Sequence, residues 1–474
     1  MPRSGLPAET LAKAGGEMEN KKFIIIGVGV LLLIVLLVLF AVSSCGKKSN
    51  NNQPTTNTLT IWTTEDDEKA FQGLIDNFQS KNKGIKVEFV KKSSKEYLTE
   101  ALNKIAAGEG PDIWAIPNDW LPMYSDKLVP MPTEKLENKK EKKSAVEVYK
   151  EIFPSVVSQD NIISDQIYGM PLAIDSLILY INTDTFSQVL GDYQRAHIGE
   201  DIGQVRLVFS AGPKNWDEFV QVVRLITNRS GSQIDRSAVA LGTPGNVNQS
   251  VDILTLLMLQ NGTKMTSDDF STAQFATKQN VFDGVDFPGT KALEFFTSFA
   301  NPGNENYTWN SSMPDSLHAF AEGKTAMMID YASQTNELKN INSKLMYKTI
   351  AIPQIKETKN PVNYTSYLTF TVTKASKNSS LAWDFINQFS QKNLTSKYIS
   401  VTKKASALSV NVNSSLDTVA VEARTAQSWF KPDPEKSDNI FLDMIKQAND
   451  GLNSQTAIEN AASQITTLLG KLKQ

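Results

Sequence analysis

Residues 58–90 read TLTIWTTEDDEKAFQGLIDNFQSKNKGIKVEFV, and the spacing of the apolar residues changes twice within this stretch. The apolar residues of 59–62 predict a short strand, which is followed by two threonines, a residue type that often caps helices. The next apolar residues have the i, i+3, i+4, i+7 spacing of one helix face: Phe71, Leu74, Ile75 and Phe78. Alternating apolar and charged residues over 85–89 predict a second strand. The order strand, helix, strand indicates a parallel βαβ unit.

The same alternation continues along the chain. A second helical pattern over 97–105 ends at Gly108 and Gly110, and residues 113–116 predict a third strand. The sequence therefore predicts an α/β fold with a parallel sheet. Helical patterns dominate the second half, and the few short strands after residue 320 are interpreted as completing sheets that begin earlier. The chain is accordingly expected to pass between lobes more than once.

Length and composition limit the possible functions. The chain has 474 residues, and 48 Lys and Arg against 51 Asp and Glu give a net charge of −3. Because single hydrophobic cores stop growing near ~250–300 residues, at least two lobes are expected. The charge balance argues against nucleic-acid binding, which needs an excess of clustered basic residues. One cysteine and two histidines, His197 and His318, exclude a disulfide framework and a Cys-rich zinc site, so no metal and no cofactor are expected.

The N-terminal segment predicts export. Residues 23–42 are uncharged and apolar, two lysines precede them, and Val-Ser-Ser-Cys follows, ending at Cys45. This ending resembles the lipobox of bacterial lipoproteins, which implies that Cys45 is lipidated and becomes the mature N-terminus. Residues 1–44 are then the signal segment, in which 1–17 are interpreted as a start-site misassignment, and 45–57 form a polar tether. An uncleaved transmembrane anchor is the alternative, and both place the rest of the chain outside the cytoplasm.

Several ordered motifs together resemble family 1 extracellular solute-binding proteins of ABC importers, the maltose-binding-protein-like group. The similarity covers residues 58–474 and starts with LTIWTT in the first strand. The later motifs are ALNKIAAGEGPDIW, QIYGMPLAIDSLILYINTDTF, GPKNWDEFVQVVRLIT, HAFAEGKTAMMIDYAS and KASKNSSLAWDFINQFSQ. Each motif alone is weak evidence for this family, whereas the same motifs in this order behind a lipobox form a specific signal for it.

The resemblance implies a two-lobe, periplasmic-binding-protein-like fold of type II. Each lobe would be a mixed sheet flanked by helices, with the ligand cleft between the lobes and closure about a hinge. Residues 58–173 are assigned to the first lobe, completed by 331–374, and residues 174–330 to the second lobe, completed by 375–474. The implied partners are a small-molecule solute and the ABC permease subunits, and a monomer is expected.

Candidate ligand-binding residues lie at the carboxyl ends of the predicted strands, where open parallel sheets bind ligands. Sugars require aromatic rings for their C–H faces and paired donors and acceptors for their hydroxyls. The strand ends supply both in Trp62, Thr63, Glu65, Asn118, Asp119 and Trp120. Asn246 lies in a polar loop that leads into a helix of the second lobe. The family comparison adds Asp175, Asp330, Tyr331, Tyr364, Tyr367 and Trp429.

Alternatives remain open for several of these residues. Trp62 and Trp120 could instead cap the core, and Glu65 could serve only the helix N-terminus that follows it. Trp114 and Trp383 are predicted to be core residues.

The leading hypothesis for function is a non-enzymatic, membrane-tethered binding protein that captures a mono- or oligosaccharide and delivers it to an importer. A surface glycosidase with paired carboxylates is the first alternative. The same fold with a non-sugar cargo, such as a peptide, a polyamine or a metal complex, is the second. No catalytic residue is predicted, because the sequence contains no nucleophile–base motif, no Gly-x-Ser-x-Gly and no His-Glu-x-x-His.

Overall fold

The computed structural model describes residues 58–281, 284–409 and 422–472. These residues belong to one compact unit, which spans Thr56–Gln474. The predicted signal segment, the tether and Cys45 lie outside the described residues. Within the described part, no helix combines the length and the apolar character that a membrane crossing requires.

The strands are numbered in chain order: β1 (Thr58–Thr63), β2 (Lys86–Lys91), β3 (Ile113–Pro117), β4 (Ile162–Ile163), β5 (Gln166–Ile167), β6 (Gly169–Pro171), β7 (Ala173–Asn182), β8 (Asn228–Ser230), β9 (Gln233–Val239), β10 (Gln279–Val281), β11 (Gly284–Asp286), β12 (Thr325–Tyr331), β13 (Tyr347–Ile350), β14 (Asn363–Ser366), β15 (Leu368–Val372), β16 (Ala405–Ser406) and β17 (Ala426–Gln427).

The helices are α1 (Glu68–Lys81), α2 (Ser94–Ala106), α3 (Leu121–Tyr124), α4 (Ala145–Ile152), α5 (Ser155–Asn161), α6 (Thr183–Ala196), α7 (Gly203–Ala211), α8 (Trp216–Ile226), α9 (Ser250–Gln260), α10 (Pro288–Ser298), α11 (Ser316–Ala321), α12 (Thr335–Ile341), α13 (Ser379–Ile386), α14 (Lys392–Thr402), α15 (Pro434–Asn449) and α16 (Ser454–Leu472).

The first sheet has the order β2-β1-β3-β15-β6. β1 lies parallel to β2 and β3, which confirms the βαβ interpretation of the opening sequence, and β15 joins antiparallel between β3 and β6. The predicted stripe of α1 is buried, because these apolar side chains pack on one face of the sheet: Phe71, Leu74, Ile75 and Phe78. Trp114 and Trp383 are fully buried, as predicted.

The second sheet has the order β17-β14-β7-β12-β9-β8, and β13 and β16 also pair with β7. The side chains of residues 177–181 in β7 face two apolar cores in alternation. Leu177, Leu179 and Ile181 face a core that is shared with α8, α9, α10, α15 and α16. Ile178 and Tyr180 face the opposite side, where the apolar cluster continues to the first sheet.

The two sheets define two lobes. The first lobe is the first sheet with the residues packed on it, and the second lobe is the second sheet with its packed residues. The chain passes directly from β6 to β7 and from β14 to β15, so two of the connections between the sheets are only one residue long. The mixed sheets with flanking helices agree with the predicted fold class.

The structure corrects the predicted assignment of the segments after residue 330. β13 and β14 lie in the segment 331–374, which was assigned to the first lobe, yet both pair with β7 of the second sheet. α13 and α14 lie in the segment 375–474, which was assigned to the second lobe, yet their apolar residues join the core on the first sheet. Hydropathy identifies a strand or a helix, but it does not identify the sheet that the element joins.

Candidate functional site

A partly open cavity of about 290 Å³ lies where the carboxyl end of β1 meets the passages between the two sheets. The residues directly after β1 form one wall, and the start of β7 forms another. The end of β12 and the β14–β15 passage also line the cavity. Both lobes therefore contribute to it. The polar side chains of the lining belong to Glu65, Asp66, Asp175, Tyr331, Ser333, Gln334, Ser366, Tyr398 and Lys404.

Lys404 supplies a positive charge to the lining of this cavity. Its Nζ atom lies 2.7 Å from Glu65 Oε2 and 2.9 Å from Asp66 Oδ2, and the Tyr398 hydroxyl donates to the same Asp66 oxygen at 2.5 Å. Burial lowers the pKa of Lys404, but the two carboxylates outweigh this effect and raise its pKa overall. Asp66 has a left-handed backbone conformation with φ of 56°, which turns the chain sharply between β1 and α1.

Asp175 connects the two strands that form the opposite wall. Its Oδ1 accepts the backbone N–H of Ala332 at 3.0 Å, and its Oδ2 accepts that of Ser333 at 3.2 Å. Burial raises the pKa of Asp175 to about 6, although the contacts with Ser333 lower it in part. The carboxyl group therefore fixes the turn after β12 beside the start of β7, and its Oδ1 also accepts the Ser176 N–H at 3.0 Å.

A second group of charges lies between the lobes and is called here the interlobe cluster: Asp119, Asp252, Asp438 and Lys431. Lys431 Nζ lies 2.8 Å from Asp438 Oδ1, 3.3 Å from Asp252 Oδ1 and 3.9 Å from Asp119 Oδ2. Burial raises the pKa of Asp119 to about 6, and Lys431 counteracts this rise. The Tyr331 hydroxyl donates to Asp252 Oδ2 at 2.8 Å, so the cavity and the cluster share one wall.

Asn118 and Tyr367 belong to a hydrogen-bonded network around Asp160. Asp160 Oδ2 accepts Asn118 Nδ2 at 2.9 Å and the Tyr367 hydroxyl at 2.6 Å, and Oδ1 accepts the Ser428 hydroxyl. Asn118 Oδ1 in turn accepts the Tyr367 N–H at 3.2 Å. These side chains satisfy one another at the junction, and they do not line the 290 Å³ cavity.

Thr63, Trp62 and Trp120 also lie outside the lining of the cavity. Thr63 is buried and exchanges local hydrogen bonds with Glu65. Trp62 lies on the other face of the first sheet from Leu59 and Ile61, with Lys92 Nζ 4.0 Å from its ring centroid. This placement follows from the period of two in a strand. Trp120 packs edge-on against Tyr124, and both tryptophans keep partly exposed rings.

Most of the predicted binding residues of the second lobe are buried and contact other residues of the protein. Asp330 is fully buried, and its Oδ1 accepts the Tyr331 N–H at 2.7 Å. Trp429 packs against Phe441 with a centroid separation of 5.6 Å, and Tyr364 is buried beside Lys431.

Asn246 holds a loop together. Its Nδ2 donates to the carbonyls of Asn310 and Met313 at 2.9 Å each, and its Oδ1 accepts Trp309 Nε1 at 3.2 Å. Asn246 lines a separate polar groove with residues of α15.

Of the predicted binding residues, the structure thus brings Glu65, Asp175 and Tyr331 together around one cavity. Sequence reasoning missed Lys404 and Lys431. Lys404 and Asp66 are 338 residues apart in the sequence, and no local motif marks such a pair. Among the described residues, no group of His, Cys, Asp and Glu has an arrangement suited to a metal ion.

A sequence model described as bacterial extracellular solute-binding protein matches residues 73–420. A putative binding protein of Brucella abortus is 23% identical over 369 residues, which cover 75% of this chain and 78% of the relative.

Solved structures show the same fold at low identity. The sugar-binding protein MalE of Xanthomonas citri superposes with a TM-score of 0.68 at 16% identity, over 88% of this chain and 98% of that one. The cyclic α-maltosyl-1,6-maltose binding protein of Arthrobacter globiformis gives 0.67 at 15%, over 87% and 99%. An ABC transporter solute-binding protein of Thermotoga lettingae bound with α-D-tagatose gives 0.63 at 20%, over 88% and 100%.

Proposed function

The chain belongs to the bacterial extracellular solute-binding proteins, and from this membership we propose that it captures a saccharide and delivers it to an ABC importer. Family members are exported binding proteins. The structural relatives named above are described as binding tagatose, maltodextrin-like sugars or sugars in general. This chain shares their fold, and the proposal is that it shares their class of cargo.

The observation that carries the proposal is the cavity between the passages that connect the sheets. Its carboxylates accept hydrogen bonds, Lys404 donates them, and the hydroxyls of Tyr331 and Ser366 do both, which matches the mixed needs of sugar hydroxyls. The volume of about 290 Å³ lies just below the ~300–1,000 Å³ range of small-molecule sites. That size favours a mono- or disaccharide over a longer chain.

The position of the cavity supports hinge closure as the mechanism. Glu65 follows β1 of the first sheet, whereas Tyr331 ends β12 of the second sheet and Ser333 follows that strand. A solute that contacts both walls binds the closed arrangement better than the open one, and only such a difference in affinity can shift the equilibrium between them. The closed complex would then be the form that the permease recognises.

The absence of catalytic activity is part of the proposal. The Glu65 carboxylate is paired with Lys404, and the Asp175 carboxylate accepts two backbone N–H groups of the neighbouring turn. A glycosidase needs one carboxyl group that donates a proton and a second that acts as nucleophile or base. The contacts of these two residues favour a binding role for both.

The proposal is tested by thermal unfolding and calorimetric titration with a panel of solutes. The panel contains D-tagatose, maltose, maltotriose and mannotriose, with spermidine and a tripeptide as non-sugar probes. A bound saccharide at one hundred times its Kd stabilises the folded state by about 2.7 kcal/mol, which is readily visible as a higher Tm. A response to spermidine or the tripeptide alone would contradict the sugar assignment, and release of reducing sugar would contradict the non-enzymatic role.

We further propose that the protein is attached to the membrane through Cys45. Such a tether would support delivery of the solute, because it raises the effective concentration of the protein near the permease. Its support is the basic, apolar and Val-Ser-Ser-Cys order of the leader, which lies outside the described residues. Intact mass of the membrane-extracted protein is expected to show a lipid on Cys45 as the first residue. A mass that still includes residues 1–44 would instead indicate an uncleaved anchor.

A further inference from the structure

Lys431 is a buried cation placed between the two lobes. Only 5% of its side chain is exposed, and it shares ion pairs with all three carboxylates of the interlobe cluster. Asp119 follows β3 of the first sheet, whereas Asp252 lies on α9 and Asp438 on α15, whose apolar faces belong to the core of the second lobe. The cluster therefore joins the lobes through one ammonium group.

The backbone around Lys431 is fixed on the second lobe. Trp429, two residues earlier, is buried in its core against Phe275 and Phe441. The preceding Ser428 reaches the other way and donates to Asp160 on α5 of the first lobe. Lys431 thus stands on the second lobe, where Asp438 and Asp252 hold its ammonium group, and Asp119 of the first lobe lies 3.9 Å from the same group.

The charges of the cluster make the role of Lys431 more than local packing. Asp252 and Asp438 belong to the second lobe, and a third carboxylate, Asp119 of the first lobe, shares the same cation. Like charges brought together in a poorly solvated place repel strongly, whereas a shared cation turns the same approach into an attraction. Removal of one partner from a buried charge group leaves the others uncompensated.

We propose that Lys431 is a positioning residue that permits lobe closure by neutralising the carboxylates that closure brings together. The proposal rests on the proposed function, because closure matters only if a solute is captured between the lobes. It assigns no solute contact to Lys431. The proposal also predicts that Asp119 attracts the second lobe when Lys431 is present. When Lys431 is removed, Asp119 is expected to repel the carboxylates of that lobe.

The test measures the lobe arrangement without any solute, so that it does not depend on which cargo binds. Small-angle X-ray scattering gives the radius of gyration of residues 46–474, whose Thr56–Gln474 part is one compact unit. Lys431→Met is expected to increase the radius of gyration, and Lys431→Arg is expected to keep the wild-type value. Lys436→Met is the matched control, because Lys436 pairs with Asp433 at the exposed start of α15.

Asp119→Asn distinguishes closure from a general packing defect. In the wild-type background it removes an attraction and is expected to increase the radius of gyration. In the Lys431→Met background it removes a repulsion and is expected to decrease it. Equal shifts in both backgrounds, or no change in Lys431→Met, would overturn the proposal. If Lys431→Met does not fold, a wild-type radius of gyration for Asp119→Asn alone would also overturn it. If no sugar of the panel binds, the assignment of a sugar as cargo is refuted, but the scattering results still test the role of Lys431.

Discussion

At the scale of single residues, the burial of carboxyl groups near the cavity gives the protein a measurable pH dependence. Asp330 is fully buried in β12, and burial raises its pKa to about 7, although the Tyr331 N–H and the Gln249 amide lower it in part. An unfolded carboxyl titrates near 4. Between pH 4 and 7 the folded protein therefore holds a proton that the unfolded chain has lost. The contribution of Asp330 to stability accordingly falls as the pH rises through this range.

Asp330→Asn is expected to stabilise the protein at pH 8, because the amide does not ionise in its buried position. The gain should exceed about 1.4 kcal/mol, the value of one pKa unit, and should disappear near pH 4. Tm measured from pH 4 to 8 for both proteins checks this. Asp443→Asn, an exposed position on α15, is the control and should be without effect. A pH-independent difference between wild type and Asp330→Asn would contradict the raised pKa.

The sequence could place some site residues and not others for a physical reason. Glu65 follows the carboxyl end of β1, and the rule that ligands bind beyond the carboxyl ends of strands finds such a residue. Asp175 lies near the start of β7, and it was expected from the family resemblance rather than from this rule. Lys404 comes from a helix end far along the chain, and only the folded path brings it to Glu65. Trp62 failed as a cavity residue because its neighbour Ile61 faces the core, which turns Trp62 to the other face of the sheet.

At the scale of elements, local capping was predictable because its chemistry is contained in a few residues. Asn215 is of a residue type that often caps helices, and its side chain accepts the Glu218 N–H at 2.9 Å at the start of α8. The same residue also bridges to Gln354, so the cap positions α8 beside the segment after β13. The sheet membership of β13 and β14 was not predictable, because their partners are far away in the sequence.

Asn215→Ala is expected to lower the free energy of unfolding by about 1 kcal/mol, because it leaves a helix N–H without its acceptor. Asn215→Asp should remain within a few tenths of a kcal/mol of wild type, since aspartate caps equally well. Urea denaturation of the three proteins measures the difference. Equal losses for alanine and aspartate would contradict the capping role of the Asn215 side chain.

At the scale of the whole molecule, β7 organises the protein. It follows β6 of the first sheet after one residue, and it then pairs with β12, β13, β14 and β16. The 290 Å³ cavity lies at its start, and the interlobe cluster shares the Tyr331 wall. Length and repeated crossings predicted two lobes joined by several segments. The position of the cavity depends on how those segments converge, and hydropathy contains no such information.

If a saccharide binds in this cavity, a substitution that fills the cavity must weaken its binding. Ser366 lines the cavity, whereas Ser80 is exposed on α1 outside it. Calorimetric titration of wild type, Ser366→Trp and Ser80→Trp should use the saccharide that gives the largest Tm shift in the panel. We expect a Kd at least tenfold weaker for Ser366→Trp and wild-type affinity for Ser80→Trp. Unchanged saccharide affinity in Ser366→Trp, with its fold intact, would show that the saccharide does not bind in this cavity.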